Sequence, residues 1–324
     1  MTTVRIRVSS DYDVRISPGL LSRVPEQILS LPEIREGSSL PSVCVVSDDR
    51  VFGLYGAPLL DSLRTAGFRA VPFVFPHGES GKSLSVYESL AETLAAGTFS
   101  RTDLIAALGG GVTGDLAGFA AGTVFRGMRL IQIPTTLLAA VDASVGGKAA
   151  LNLKAGKNLI GCFRQPSLVL CDPDVFRTLS PEDYRNGCAE IIKCAMLDGP
   201  EFCGDLLRTP VSEHFESVIA RCVEIKRSYV ERDETDRSVR RFLNFGHTAG
   251  HAMESASGYR LPHGAAVAAG MAVMARASAA KGFCGTDVPA FLESLLQAYG
   301  LPTGTDLPAA ELAAEAKKDK KSRG

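Results

Sequence analysis

Leu104-Ile-Ala-Ala-Leu-Gly-Gly-Gly-Val-Thr-Gly-Asp-Leu-Ala-Gly-Phe-Ala-Ala-Gly122 is the stretch whose reading decides the fold. A short apolar run stops at three consecutive glycines, and a helix-like pattern opens directly behind them. Gly109, Gly111 and Gly114 satisfy G-x-G-x-x-G, the strand–turn–helix signature of dinucleotide binding. Backbone without Cβ atoms can approach a pyrophosphate and aim the N–H groups of a helix N-terminus at it. Glycine clusters also make tight turns, and the acid that usually ends the next strand is absent: Ile131-Gln-Ile-Pro134 runs into Thr135 and Thr136. The motif alone leaves both readings open.

Outward from this point the N-terminal segments alternate strand-like and helix-like patterns. Ser42-Val-Cys-Val-Val46 reads as a buried strand ending at Ser47-Asp48-Asp49, with helical periodicity from Tyr55 to Ala66. Ala70 to Phe75 is a second strand, ending in Pro76-His77-Gly78-Glu79. Ser83 to Ala96 reads as a helix and Asp103 to Leu108 as the central strand. Such alternation predicts a parallel sheet covered on both faces, with ligands at the carboxyl ends of its strands, here Asp48, Glu79 and the Gly109 run. After Asp172-Pro-Asp-Val-Phe176 the pattern turns helical. Ser180-Pro-Glu-Asp183 is an N-cap with proline at the first helical position, and amphipathic stretches run through 186–197, 211–232, 246–257 and 264–280. We therefore expect an α/β domain with a parallel-rich sheet over 1–172 and an all-α domain over 173–324.

The chain's 324 residues accommodate two such domains. A hydrophobic content of 45%, a charged content of 22% and a net charge of −1 fit a soluble globular protein and give no support for a nucleic-acid or membrane-surface partner. No apolar run approaches the roughly 18 residues that span a bilayer. The N-terminus, Met1-Thr-Thr-Val-Arg-Ile-Arg-Val8, alternates like an edge strand and has no signal-peptide core. Eight cysteines without a C-x-x-C pair, mostly in apolar surroundings, read as reduced buried thiols of a cytoplasmic protein.

Chemistry-bearing residues cluster in both halves. Asn244-Phe-Gly-His247-Thr-Ala-Gly-His251 places two histidines one helical turn apart, and His263 follows in Leu261-Pro-His-Gly264. One such histidine would read as a cap or a satisfied core residue; three of the chain's five within this window favour a metal site. Ala189-Glu190-Ile-Ile-Lys193 sets an acid and a lysine on one apolar helix face, and a buried carboxylate needs a salt bridge or a cation. Two histidines and a glutamate with an open position make a catalytic zinc arrangement. Val141-Asp142-Ala-Ser-Val-Gly-Gly-Lys148 and Gly156-Lys157-Asn158 read as anion-holding loops, and Arg126 and Arg240 add guanidinium forks suited to phosphate or carboxylate.

Together these segments resemble the 3-dehydroquinate synthases, within the sugar-phosphate cyclases. The resemblance rests on Gly109-Gly-Gly-Val-Thr-Gly-Asp-Leu-Ala-Gly-Phe119, Arg126-Gly, Ile133-Pro-Thr-Thr-Leu-Leu-Ala139, Val141-Asp-Ala-Ser-Val-Gly-Gly-Lys148, Gly156-Lys-Asn-Leu-Ile-Gly161, Ala189-Glu-Ile-Ile-Lys193, Leu243-Asn-Phe-Gly-His-Thr-Ala-Gly-His251 and His263-Gly. It covers about residues 40 to 275 in family order. It implies an NAD-binding α/β domain followed by a helical domain holding zinc or cobalt. Its metal ligands fall on Glu190, His247 and His263, which moves His251 from the ligand pair suggested by spacing to a place beside the substrate. NAD contacts fall on Asp48, Glu79, Lys82, Gly110, Gly111, Val112, Asp115, Thr135, Thr136 and Leu138, with Asp142, Lys148 and Lys157 serving cofactor and substrate alike. Further substrate positions are Asn158, Lys193, Arg240, Asn244 and His251, with Arg126 contributed in trans by the second subunit of a homodimer.

The resemblance implies a lyase of the shikimate pathway of aromatic amino acid biosynthesis. It would convert 3-deoxy-D-arabino-heptulosonate 7-phosphate (DAHP), a sugar-phosphate acid, to 3-dehydroquinate and phosphate, through transient oxidation, phosphate elimination, reduction and aldol closure. Rival readings are a sister cyclase making 2-deoxy-scyllo-inosose or a valiolone, a metal-dependent polyol dehydrogenase, and a degenerate homologue retained for binding. The chain departs from the family pattern in three places. Ala265 follows His263-Gly264 where an acid is common, Asn152-Leu-Lys-Ala155 replaces Asn-His-Pro, and the C-terminal Asp319-Lys320-Lys321 element stands three residues from the end. We expect that Lys320 and Lys321 do not reach substrate phosphate.

Overall fold

In the computed structural model, which describes residues 1–37 and 39–321, the aliphatic runs of the first half become strands β1 (Thr2–Ile6), β2 (Tyr12–Ile16), β3 (Val43–Asp48), β4 (Ala70–Phe75), β5 (Leu104–Gly109), β6 (Arg129–Pro134), β7 (Lys148–Leu153), β8 (Gly156–Phe163) and β9 (Leu168–Cys171). Among the described residues, seven of them form one sheet in the order β1-β2-β9-β6-β5-β3-β4, parallel except for the antiparallel β1–β2 pair at its edge. Between β2 and β6 lie α1 (Val24–Leu29), α2 (Pro32–Arg35), α3 (Asp49–Val51), α4 (Ala57–Thr65), α5 (Leu84–Ala96) and α6 (Gly111–Thr123).

Side-chain alternation sorts these helices onto two faces. Val43 and Val45 of β3 and Leu104, Ala106 and Leu108 of β5 pack with Ile28, Leu59 and Leu63 on one side. Cys44 and Val46, with Ile105 and Ala107, pack with Leu90, Leu94, Leu116 and Ala120 on the other. Each fully buried aliphatic side chain contributes about 1.5–3 kcal/mol, so a continuous apolar strand such as β5 is stable only with both faces covered. The chain order reverses between β3 and β5, with β4 beyond β3 and β6 beyond β5. This is the topological switch point at which open α/β sheets take ligands.

A correction to the sequence reading concerns 148–163. Lys148 and Gly156-Lys157-Asn158 are not loops; they belong to the antiparallel β7–β8 hairpin. Ala149 and Leu151 point inward and are buried, which holds the ribbon on α6. Gly, Lys and Asn are poor strand formers, so propensity concealed what packing imposed.

Leu179–Gly324 forms a second compact unit, distinct from Met1–Thr178. It comprises α7 (Pro181–Asp198), α8 (Pro200–Arg208), α9 (Phe215–Val230), α10 (His247–Ala256), α11 (His263–Ala280), α12 (Val288–Ala298) and α13 (Ala309–Lys321). Ser180 caps α7 by accepting a hydrogen bond from the Asp183 N–H at 3.0 Å, with Pro181 behind it. Gly187 to Ala195 are buried without interruption, so α7 is the core helix of this unit. Where α10 and α11 cross, a Cβ on Gly270 would lie 2.2 Å from the Gly246 carbonyl oxygen and 2.8 Å from the Gly250 nitrogen. Only glycine lets the two backbones come this close.

Candidate active site

In the first unit the glycine run forms the turn between β5 and α6. Gly110 is the N-cap of α6 and offers no side-chain cap, and no acid occupies the first turn. The first-turn N–H groups therefore point outward with the positive end of the helix dipole. A Cβ at Gly109 would meet the Thr113 Oγ1 at 2.3 Å, and one at Gly114 would meet Gln132 of β6 at 2.9 Å, so turn and helix lie close on the sheet. At Gly111 the nearest atom would be 3.6 Å away, leaving backbone room for a phosphate. Asp48, at the end of β3 across the switch point, caps α3 by accepting from the Val51 N–H at 2.9 Å. Val112 lies in the first turn of α6. The Thr135 N–H donates to the Gly109 carbonyl at 3.0 Å, and the Thr136 Oγ1 accepts from Ala139 at 3.2 Å. Leu138 begins the turn Ala139–Ala143 that carries Asp142.

A polar network lies alongside. The buried Lys82 ammonium donates to the Asp115 carboxylate and to the Asn158 Oδ1. Burial pushes the Asp115 carboxyl up, against the pull of Lys82. Asn152 ties the group together: its Nδ2 donates to Glu79 at 2.7 Å and its Oδ1 accepts from the Asn158 N–H at 3.0 Å. Asn158 itself sits at φ +58°. Asn152 was not among the expected site residues. Its only sequence signal was its place in the departure before Gly156. Lys148 is exposed at the start of β7 and Lys157 is partly exposed on β8. Arg126 is exposed and, with Phe125, adopts positive φ (+63° and +51°), a pair of strained non-glycine residues of the kind found at functional sites.

In the second unit Glu190 of α7, His247 of α10 and His263 of α11 converge, their ligand atoms all within 4.8 Å of one another. Glu190 is 0% exposed; its Oε1 lies 3.6 Å from the His247 Nε2 and 3.4 Å from the His263 Nε2, and its Oε2 lies 2.5 Å from the Lys193 ammonium. The Nδ1 of His247 faces the Phe245 carbonyl at 3.3 Å. Burial pushes His247 down to about 4. Burial also acts downward on His263, yet hydrogen bonds and charge from Glu190 and Glu254 prevail and raise it to about 10. His251 packs beside this group, with ring centroids 5.5 Å from His247 and 6.2 Å from His263. It also belongs to a second cluster, with Glu254 and His263. Arg240 is buried, its backbone N–H bonded to Asp233 at 3.1 Å and its Nη1 to the Glu234 carbonyl at 2.6 Å. Backbone N–H groups, chiefly that of Arg237, hold Asp233 down to about 2. Asn244 ends the same turn, Val239–Asn244, three residues before His247, the first of α10. The Lys320 and Lys321 side chains lie outside the described residues.

The donor set suits a divalent cation. Ligands about 2.1 Å from a tetrahedral zinc stand about 3.4 Å from one another, close to the two separations at Glu190 Oε1. Two imidazoles and one carboxylate leave an open coordination position, as a catalytic ion requires.

A doubly wound, parallel-rich sheet followed by a helical unit is the fold of the solved sugar-phosphate cyclases. One 2-deoxy-scyllo-inosose synthase complexed with carbaglucose-6-phosphate, NAD+ and Co2+ superposes with a TM-score of 0.86 at 28% identity, covering 98% of this chain and 86% of that one. A 2-epi-5-epi-valiolone synthase from Streptomyces hygroscopicus subsp. jinggangensis 5008, with NAD+ and Zn2+ bound, gives 0.85 at 26%, covering 100% and 89%. Residues 72–186 match the 3-dehydroquinate synthase N-terminal family and residues 187–322 its C-terminal family. A 3-dehydroquinate synthase from Paracoccus denitrificans (strain Pd 1222) is 44% identical over 307 residues, covering 92% of this chain and 82% of that relative. The chain belongs to the 3-dehydroquinate synthase family.

Proposed function

We propose that this chain is a 3-dehydroquinate synthase, an NAD- and divalent-metal-dependent lyase that converts DAHP to 3-dehydroquinate and phosphate in the shikimate pathway. The observation that carries the reading is the convergence of Glu190, His247 and His263, with Lys193 on the second carboxylate oxygen, in a chain of this family. We assign nucleotide binding to 1–172 and metal and substrate binding to 173–324. Asp48, Glu79, Lys82, Gly110, Gly111, Val112, Asp115, Thr135, Thr136 and Leu138 would hold NAD together with the N-terminus of α6, and the cofactor would supply a transient hydride acceptor. Glu190, His247 and His263 would hold zinc or cobalt, which would supply Lewis acidity toward a substrate hydroxyl.

The remaining work falls to the chain's own charged and polar groups. Lys148, Asn158 and Arg126 neutralise the phosphate as it leaves, so charge on the departing group is met by donors already in place. Lys193 and Arg240, both buried, orient the anionic and oxygen groups of the substrate. Asp142, Lys157, Asn244 and His251 complete its hydrogen bonds. The protein mainly fixes conformation, and the departing phosphate itself serves as base for the neighbouring C–H. Arg126 acts in trans in a homodimer; its exposure and its strained backbone support a contact made on assembly. Among the described residues no helix is long and apolar enough to cross a membrane. The eight cysteines, most of them buried, support a cytoplasmic enzyme.

The likeness to 2-deoxy-scyllo-inosose and valiolone synthases makes a sister cyclase the second reading, at 28% and 26% identity against 44% for the dehydroquinate relative. Phosphate release measured with DAHP, glucose 6-phosphate and sedoheptulose 7-phosphate separates the two. Turnover of DAHP, sensitive to chelator and without net NADH absorbance, is the expected result. Inactivity with DAHP alone refutes the choice, and stoichiometric NADH points instead to a dehydrogenase.

A further inference from the structure

An imidazole binds a cation through one nitrogen, and the partner of the other nitrogen decides which one is available. The two ligand histidines differ in that partner. His247 has a neutral backbone carbonyl behind its Nδ1, that of Phe245. His263 has a carboxylate: its Nδ1 lies 3.3 Å from the Glu254 Oε2, while its Nε2 faces the Glu190 Oε1 at 3.4 Å. Glu254 is only 6% exposed, and burial of a carboxylate is costly unless a polar partner repays it. Its position is fixed from both sides. It stands two helical turns after His247 on α10, and its carbonyl accepts from the Ser257 hydroxyl at 2.8 Å and from the Tyr259 N–H at 2.8 Å at the end of that helix. Ala265, next but one to His263, carries no carboxylate, so the acid that reaches this ring comes from another helix.

We propose that Glu254 is a positioning residue: it holds the His263 Nδ1–H, fixes the ring's orientation and tautomer, and presents a more basic Nε2 to the cation. This rests on the metal-site reading above. On this reading Glu254 accepts from the His263 Nδ1–H and is not a ligand of a separate ion at His251, Glu254 and His263.

The test is cobalt binding to the full-length protein, by chelator competition together with the visible absorption of the bound ion, which reports ligand strength and geometry without turnover. Loss of an outer carboxylate behind a ligand histidine typically weakens metal binding about 10- to 100-fold. Glu254→Ala is expected near the upper end of that range. Glu254→Gln, whose amide oxygen still accepts from Nδ1–H without the charge, is expected near tenfold, with the cobalt bands shifted in both. Ser255→Ala, on the same helix but bonded to Glu315, is expected to bind as wild type, with one cobalt per chain throughout. Glu254→Gln keeps shape and decides the matter if the alanine variant does not fold. Wild-type affinity and bands in Glu254→Gln, an equal loss in Ser255→Ala, or two cobalt ions per wild-type chain would each overturn the proposal. A wild-type chain that takes up no cobalt instead overturns the metal-site reading itself.

Discussion

Replacing Lys193 by methionine isolates the electrostatics of the buried pair. The methionine fills most of the same volume but removes the ammonium that lies 2.5 Å from the Glu190 Oε2, where the two side chains are 2% and 0% exposed. Removing one partner of a buried ion pair strands the other charge, at about 3–5 kcal/mol. In chelator the loss should fall near the lower bound at neutral pH, because His263, raised to about 10, is protonated there and still faces Oε1 at 3.4 Å. About 3 kcal/mol corresponds to a fall of roughly 6–12 °C in melting temperature at the scale of a domain of about 150 residues. With cobalt present the gap should narrow, since a second cation meets the same carboxylate. Thermal melts of wild type and Lys193→Met, with chelator and with cobalt, read both numbers. A fall below about 2 °C in chelator, or a gap that widens with cobalt, would refute the account of Glu190 as a buried charge held by Lys193.

Three further outcomes follow from the same geometry. His247→Ala should lose bound metal and DAHP turnover together, measured by metal analysis and phosphate release; an active metal-free variant contradicts the centre. Metal-free protein should be most stable near pH 6.5. His263, raised to about 10, contributes stability that is complete below its unfolded pKa of about 6.5 and is lost as pH rises through 10. His247, lowered to about 4, leaves a proton that only the unfolded chain binds between pH 6.5 and 4, so stability falls there as pH falls. In melts of chelated protein across pH 4–10, no fall above pH 6.5 would refute the assignment to His263, and no fall below it the assignment to His247. Gly270→Ala should push α10 from α11, costing about 1–3 kcal/mol or more and weakening cobalt binding, read by melts and chelator competition. A variant that binds cobalt and melts as wild type would mean the crossing tolerates a methyl group.

Much of the frame was legible because local rules and tertiary demands agree. The Leu104–Gly122 run reads as strand, turn and helix since each part needs its residue type where it stands: apolar for a strand covered on both faces, glycine for close approach, small residues for a helix laid on the sheet. Ser180-Pro181 announced α7 through a hydrogen bond only three residues long in sequence. The β7–β8 hairpin was not legible, because strand pairing and the packing of Ala149 and Leu151 on α6 impose it against the preferences of Gly156, Lys157 and Asn158, the last of which takes φ +58° within β8. Asn152 and Glu254 were missed for a related reason. A lone amide and a lone acid on a helix carry no signal until the chain folds partners against them.

Apart from the β7–β8 hairpin, the sequence by itself determined the main elements and which chemical groups are present, since periodicity, capping and glycine spacing act over a few residues. The i,i+4 spacing of His247 and His251 even fixed that both rings leave one side of α10. Which rings meet a carboxylate was decided only in three dimensions. Glu190 comes from α7 and His263 from α11, and the nitrogen each histidine offers is set by the Phe245 carbonyl and by Glu254. Helical spacing sets the direction of a side chain, whereas the partner that fixes an imidazole's proton arrives from elsewhere in the fold.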